Sequence, residues 1–567
     1  MTSQELIEQV QARLGEKVLD LAEPVPDQVY VTVASEDIPV AAEHFLRDLR
    51  ARFLITAGTD SRFKPMGVGV TGPSFVVTHI FSLDEDKLFL SLRTQLDPEN
   101  PRLPSITPLV TGAAWAEREL QDLLGVVVEG HPDPRRLILP DDWPAGVHPL
   151  RKDFPYNHHP EPDFSARPQL KEPPEGTVVL PVGPFFPVLE EPSYWRLFVE
   201  GETIVGCDYR GFYNHRGIEK LGESRMTYNQ VPFLAERICG ICGFIHSTCY
   251  CEAVERAIGL TPPRRARIIR SIMLELERIH SHLLWLGIAG HIIGFDTVLM
   301  QSWRIREPVM WLCEEITGNR KTYGMNLIGG VRWDIPAEKH ERVLEVMAGI
   351  ERETSELLDA MLNDTPLLMR TQEVGPLPEE TAREICVVGP TARGSNVPID
   401  ARVDHPYAGY DELVPEKQVE EGCDVWARVL VRLGEVLDSV RLVREGIEKL
   451  KELPEGDLMT LVEEEIPPGK EGICVVEAPR GEAIHYVLTG ENNRLERWRV
   501  RAPTYANLQA VPPMIQGGQI ADMPISLGSF DPCFSCTERV EVVDVRSRKV
   551  QVLTQEDLLR LSRGGRK

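Results

Sequence analysis

Apolar residues recur along this chain in two rhythms, and the change from one to the other marks its architecture. Between Val29 and Leu92, short apolar and β-branched runs (VYVTV, GPSFVVTHIF, KLFLSL) alternate with a segment of helical spacing around Ala41 to Phe53. Runs of that length between turn residues predict strands, so an α+β domain is expected. From Tyr156 to Gly176 the stretch YNHHPEPDFSARPQLKEPPEG is rich in proline and polar residues and has no apolar period, which predicts a linker. Beyond it, apolar positions return every third or fourth residue from Arg264 to Leu286, from Glu338 to Leu362 and from about Val419 to Leu450. That spacing predicts long helices with one buried face. Strand-like runs there are ICVVEAP near Cys474 and ERWRVRAP near Trp498, and after Arg539 a strand-like run, a short amphipathic helix and a basic end form an appendage. The expected fold class is thus multidomain: an α+β domain over residues 1–155, a linker over 156–176, a mainly α-helical domain over 177–539 and an extension over 540–567.

Composition narrows the function classes. The chain has 567 residues, far more than one core usually supports. A formal charge of -25 argues against nucleic acid as a partner, because a phosphate-binding surface concentrates Lys and Arg. The N-terminus reads as an amphipathic helix without the apolar stretch of a signal peptide. The most apolar stretch, Leu283 to Phe295, is too short to cross a bilayer and contains His291, so any membrane link is expected to run through partner subunits. Eleven cysteines without an export signal point to metal binding, catalysis or burial rather than disulfides.

Four of those cysteines carry the chemistry. In ERICGICGFIHST, residues 236–248, Cys239, Cys242 and His246 stand at i, i+3 and i+7; on a helix they share one face. In DPCFSCTER, residues 531–539, Asp531 and Pro532 are helix-start residues, which would put Cys533 in a first helical turn and Cys536 one turn later. A helix N-terminus favours the thiolate, the form that binds metal. Two CxxC pairs also make structural zinc sites, and thiolates equally suit nickel, iron, copper and iron-sulfur clusters. The wide separation of the pairs weighs against a small zinc module, whose ligands lie close in sequence. GVGVTG, residues 67–72, matches a phosphate-binding pattern but is followed by Pro73 and a strand-like run, so a turn is expected. Cys207, Cys249, Cys251, Cys313, Cys386, Cys423 and Cys474 read as small buried hydrophobes, and His280 and His282 as packing or hydrogen-bonding residues.

RICGIC...H followed by DPCFSC resembles the paired cysteine signatures of nickel-iron hydrogenase large subunits. EPSYWRLFVEGE from Glu191, YNHRGIEKL from Tyr213, ERIHSHLLWLG from Glu277, GNRKTYGMNLIGG from Gly318 and EAPRGEAIH from Glu477 resemble the membrane-associated group 4 branch, and within it the formate hydrogenlyase, or hydrogenase 3, type. ERELQDLLGVVVEGHPDPRRLILPDDW followed by HPLRKDFP, within residues 117–155, is similar to the 30 kDa subunit of respiratory complex I. The complex I relative of the large subunit lacks the four nickel cysteines, so their presence favours hydrogen chemistry over quinone reduction.

The resemblance implies a function and roles. The chain would interconvert protons and dihydrogen at a nickel-iron centre whose iron carries carbon monoxide and cyanide. Cys239 and Cys533 would be terminal nickel ligands, and Cys242 and Cys536 would bridge the metals. Arg480 would overhang the site, Pro479 would help form the cyanide pocket, and His246 would hydrogen-bond a bridging sulfur. Asp531 would be an active-site carboxylate, a helix cap or both, and Glu191 would take the proton from the cysteine. Electrons would need an iron-sulfur small subunit, since no cysteine run here resembles a ferredoxin cluster. Ferredoxin-like and complex I-like membrane subunits would complete an assembly on the cytoplasmic face. Where large subunits usually end in histidine, Arg539 stands here, which puts a third metal in doubt, and residues 540–567 are expected to be removed by a maturation protease.

Overall fold

The computed structural model describes residues 1–183, 193–212, 215–462, 465–533, 542–543 and 550–551. The chain opens with a helix, Ser3–Leu14, whose first turn is closed by a capping box between Thr2 and Glu5. Five strands follow: β1 (Val18–Val25), β2 (Gln28–Val33), β3 (Arg52–Asp60), β4 (Phe75–Leu83) and β5 (Leu88–Leu96), in the order β1-β2-β5-β4-β3. All pairs are antiparallel except β2 with β5. The expected helix around Ala41 to Phe53 is shorter than its pattern suggested: a helical turn Ile38–Glu43 passes into a π turn, His44–Asp48, and Phe53 already belongs to β3. Its β-branched and aromatic continuation, RFLITA, favours the pleated sheet.

Every residue of β4 and nearly every residue of β3 is buried, on both faces. A sheet shielded on both sides needs a second layer, and the rest of the chain supplies part of it. The helix Ala114–Leu124 packs against β3, where Gly58 makes room: a Cβ there would lie 2.4 Å from Leu120 and Leu124. The free edge of β3 is covered from the other domain. Arg497 and Arg499, two apart on the strand Leu495–Arg501 and so on one face, donate to the carbonyls of Gly58 at 2.7 Å and Thr56 at 3.1 Å. Buried ion pairs join the same surfaces: Arg93 to Glu471 at 2.6 Å, Arg52 to Glu482 at 2.8 Å and Arg499 to Glu119 at 2.7 Å.

Residues 156–176 contain no helix or strand. After them come a small antiparallel sheet that includes Tyr194–Glu200 and Thr203–Arg210, and then long helices: Gly243–Ile258, Arg264–Ile292, Asp296–Thr317, Ala337–Leu362 and Val425–Glu452. A three-stranded antiparallel sheet, Glu471–Ala478, Gly481–Thr489 and Leu495–Arg501, packs its first two strands on the helix Gly243–Ile258 and faces the N-terminal domain with its third. Among the described residues no helix is long and apolar enough to cross a membrane.

Candidate metal centre

Cys239 and Cys242 do not share a helix face. The helix starts only at Gly243, with Cys242 as its N-cap, and Cys239 lies in the preceding turn. The two glycines of CGICG delay helix formation, because glycine loses the most conformational freedom there. The first turn is capped from outside: the Glu277 carboxylate accepts from the backbone N–H of Phe244 and Ile245, each at 3.0 Å. Burial pushes the Glu277 carboxyl up to about 8, while those two donors and the charge of Lys321 pull the other way.

Cys533 arrives from the far end of the sequence. Its Sγ lies 3.4 Å from that of Cys239, which stands 3.0 Å from that of Cys242. All three are at most 5% exposed. The backbone N–H of Cys533 is held by Thr504 Oγ1 at 3.1 Å. Asp531 is in the left-handed region at φ 58° and is not an N-cap among the described residues: its Oδ1 accepts from Arg480 Nη2 at 2.8 Å, and its carbonyl accepts from Arg480 Nε at 2.8 Å. Oδ2 of Asp531 is buried with no partner among the described residues, and burial raises its carboxyl despite Arg480.

Arg480 and the buried Pro479 form the turn between the strands Glu471–Ala478 and Gly481–Thr489. A Cβ at Gly481, where φ is +125°, would lie 2.7 Å from Gly389 N, which leaves no space for a side chain behind the arginine. Arg480 also reaches Ser281 Oγ at 3.3 Å. Burial opposes its charge, but Asp531 and then Cys533, Cys239 and Cys242 outweigh that and hold it above the usual range. In the sulfur cluster Cys242 donates to Cys239, which also shares a hydrogen bond with Cys533; these contacts lower the Cys239 thiol well below the ordinary value, while Cys242 is raised.

These residues fit a thiolate-bound metal. With metal–sulfur bonds of about 2.3 Å, two ligands of one tetrahedral ion stand about 3.8 Å apart. The sulfurs here lie closer than that, and an opening of under about 1 Å would seat an ion among them. Among the described residues no group of three or more Cys, His, Asp or Glu side chains is already spread as a cage. His246, four residues after Cys242, is fully buried; its Nδ1 meets His485 Nε2 at 3.2 Å and its Nε2 has no partner among the described residues. Trp498 Nε1 donates to His485 Nδ1 at 3.2 Å. Neither His485 nor Trp498 was singled out from sequence, although His485 closes the motif EAPRGEAIH. Cys536, Glu191 and Arg539, with most of 540–567, lie outside the described residues. Of the remaining cysteines, Cys423 is only partly buried and the others are buried and free. His282 Nε2 meets Glu435 at 2.8 Å, as a hydrogen-bonding residue should.

Comparison with known proteins places this geometry. The family description "Respiratory-chain NADH dehydrogenase, 30 Kd subunit" matches residues 31–160, and that of the 49 Kd subunit matches 293–471 and 456–539. "Nickel-dependent hydrogenase" matches 216–296, the segment that carries Cys239 and Cys242. Formate hydrogenlyase subunit 5 of Escherichia coli K12 is 42% identical over 96% of this chain and 95% of its own length. Hydrogenase-4 component G of the same organism is 40% identical over 96% and 94%. A chain in the structure of the membrane-bound sulfane sulfur reductase, an archaeal respiratory membrane complex, is 28% identical with a TM-score of 0.61, covering 65% of this chain and 100% of that one. Its title names a different reaction, so the shared fold does not choose the chemistry, whereas near full-length identity to hydrogenase subunits does. The chain belongs to the group 4 nickel-iron hydrogenase large subunits, with a complex I 30 kDa-like domain fused ahead of the large-subunit domain.

Proposed function

We propose that this chain is the catalytic subunit of a formate hydrogenlyase-like membrane complex that forms dihydrogen reversibly from protons and electrons, with Cys239, Cys242, Cys533 and Cys536 holding its nickel-iron centre. The supporting observation is the meeting of three buried sulfurs from positions 294 residues apart in sequence. When bound, the centre, whose iron would carry carbon monoxide and cyanide, supplies the making and splitting of the H–H bond. The chain supplies the rest. Burial excludes water, Arg480 places a fixed positive charge beside the thiolates without itself titrating, and Asp531 orients that guanidinium through two contacts. Cys533 would exchange the proton as a terminal thiolate, Glu191 would pass it on, and Pro479 would line the cyanide pocket. His246 would donate to a bridging sulfur.

Electrons would come through an iron-sulfur small subunit and a ferredoxin-like subunit, and complex I-like membrane subunits would hold the assembly on the cytoplasmic face. Maturation proteins would insert the metals, and a protease would then cut after Arg539. Nickel analysis of the purified complex together with hydrogen–deuterium exchange tests the reading. Nickel and exchange should both be lost in Cys239→Ala. Zinc in place of nickel, or quinone reduction without exchange, would support a complex I-like oxidoreductase instead. Two finer roles have their own tests. Glu191→Gln should stop turnover at unchanged nickel content, and the nickel-loaded subunit should end at Arg539 by mass spectrometry; a tail intact to Lys567 refutes the cut.

A further inference from the structure

A row of three rings lies buried in the large domain. The strands Gly481–Thr489 and Leu495–Arg501 pair so that Val487 faces Trp498, which makes His485 and Trp498 diagonal neighbours on one face; aromatic side chains reach across that diagonal. Trp498 Nε1 lies 3.2 Å from His485 Nδ1, and His485 Nε2 lies 3.2 Å from His246 Nδ1. All three side chains are fully buried. His246 sits one helical turn beyond Cys242, and Cys239 is the ionisable neighbour whose charge acts on it.

We propose that Trp498 and His485 are positioning residues that lock His246 as the neutral Nε2–H tautomer, so that it presents a hydrogen-bond donor to the thiolates of the metal centre. An indole N–H only donates, so His485 Nδ1 must accept and its proton sits on Nε2. That proton points at His246 Nδ1, which must accept in turn, and the His246 proton is left on Nε2. Charging either ring breaks the row, because it would set a second N–H against the indole N–H. Burial, which holds the His246 ring down to about 4, acts in the same direction. The Nε2–H so defined is buried and has no partner among the described residues. A buried donor normally has an acceptor, and a ligand sulfur brought within reach as the cluster opens to seat a metal would be one. Hydrogen bonds to ligand sulfur tune the metal and raise its reduction potential.

The inference rests on the cysteines being nickel ligands, and the test separates the two. In the purified complex, nickel content is measured alongside the midpoint potential of the nickel signal in an electron paramagnetic resonance titration. His485→Phe removes the acceptor–donor link, and Trp498→Phe frees the His485 tautomer while keeping an aromatic ring. Both should retain nickel and shift the potential to lower values. His485→Gln, whose amide N–H can still donate to His246 Nδ1, should restore it. A wild-type potential in both phenylalanine variants at full nickel content overturns the relay, as does a failure of glutamine to differ from phenylalanine at position 485. If one variant does not assemble, the other with the glutamine rescue carries the same comparison. Wild-type complex without nickel would instead remove the ligand reading beneath it.

Discussion

Replacing Arg93 with methionine removes the positive partner from the best-buried ion pair between the two domains. Its guanidinium gives two bonds to Glu471, at 2.9 and 2.6 Å, and stacks 4.7 Å above the Tyr30 ring. Arg93 and Glu471 are each 1% exposed. Breaking such a pair from one side costs about 3–5 kcal/mol, because the remaining charge stays desolvated. Glu471 would keep two other donors, Val68 N–H at 2.6 Å and Tyr486 Oη at 2.9 Å, which places the loss near about 3 kcal/mol. The pH dependence carries a sign. Burial raises the Glu471 carboxyl, but Arg93 and the hydrogen bonds hold it below 4.5 in the wild type, so its contribution is present above that value and lost as pH falls through the folded pKa. Without Arg93, burial dominates and the folded pKa rises, so the carboxylate destabilises the variant increasingly as pH climbs above 4.5. The gap should be widest near neutrality and close on acidification. Urea unfolding of the full chain at several pH values measures it, with Arg93→Met/Glu471→Met as the companion variant that should regain at least half of the loss. A single variant within about 0.5 kcal/mol of wild type, a double variant no better than the single, or a gap that widens on acidification would refute the reasoning.

Other positions give equally direct tests. Gly58→Ala would drive a methyl group to within 2.4 Å of Leu120 and Leu124 and should cost about 1–3 kcal/mol by overpacking, read as a lowered unfolding temperature. Glu277→Gln should weaken the cap on the helix Gly243–Ile258 by about 1 kcal/mol at pH 5. Because the wild-type carboxyl is raised to about 8 from 4.5, its stabilising share is full below 4.5 and lost as pH rises through about 8. The variant should therefore close the gap over that window in denaturation midpoints. Arg480→Lys keeps a charge but cannot hold both the Asp531 carboxylate and its carbonyl. Hydrogen turnover should fall about 10²-fold at unchanged nickel content, and a variant with full turnover would remove the electrostatic role of this residue.

Local patterns in the sequence translated well where local physics decides. The run from Arg264 is a helix because its apolar spacing reaches Leu286 without glycine or proline, and the helix carries on through Gly287 and Gly290 to Ile292, past the last strong repeat. The strands around Cys474 and Trp498 form because β-branched and aromatic residues cluster there. The cysteines that meet were legible in the sequence, but their geometry was not. Spacing alone suggested one helix carrying Cys239, Cys242 and His246, yet Gly240 and Gly243 hold the backbone out of the helix until after the second cysteine. Asp531 looked like a cap because aspartate before proline often is one, but a buried arginine 51 residues away in sequence is a stronger partner for its charge. The His485–Trp498 contact depends on strand register, which no single-strand pattern reveals.

The ion pairs that bind the fused N-terminal domain do not fall at random on the large domain. Arg93 meets Glu471 and Arg52 meets Glu482, while Arg497 and Arg499 reach back to β3. All of these large-domain residues lie on the three strands that carry His485 and Trp498, the first two of which flank the turn that holds Arg480. Glu482 is two residues beyond Arg480 and is shared between Arg52 and Arg501. On the other side of the same turn, Glu477 is held by Arg393 at 2.9 Å and by the Ala401 N–H at 3.0 Å. The turn that presents Arg480 to the sulfurs is therefore clamped at both roots, one clamp from the large domain's own helices and one from the fused domain. Removing the N-terminal domain would take Arg93 and Arg52 away from Glu471 and Glu482 and expose to water the strands that those pairs brace. The fused domain thus acts as the second wall of the sheet whose turn aims Arg480 at the cysteine cluster, and its loss should disturb that cluster from a distance.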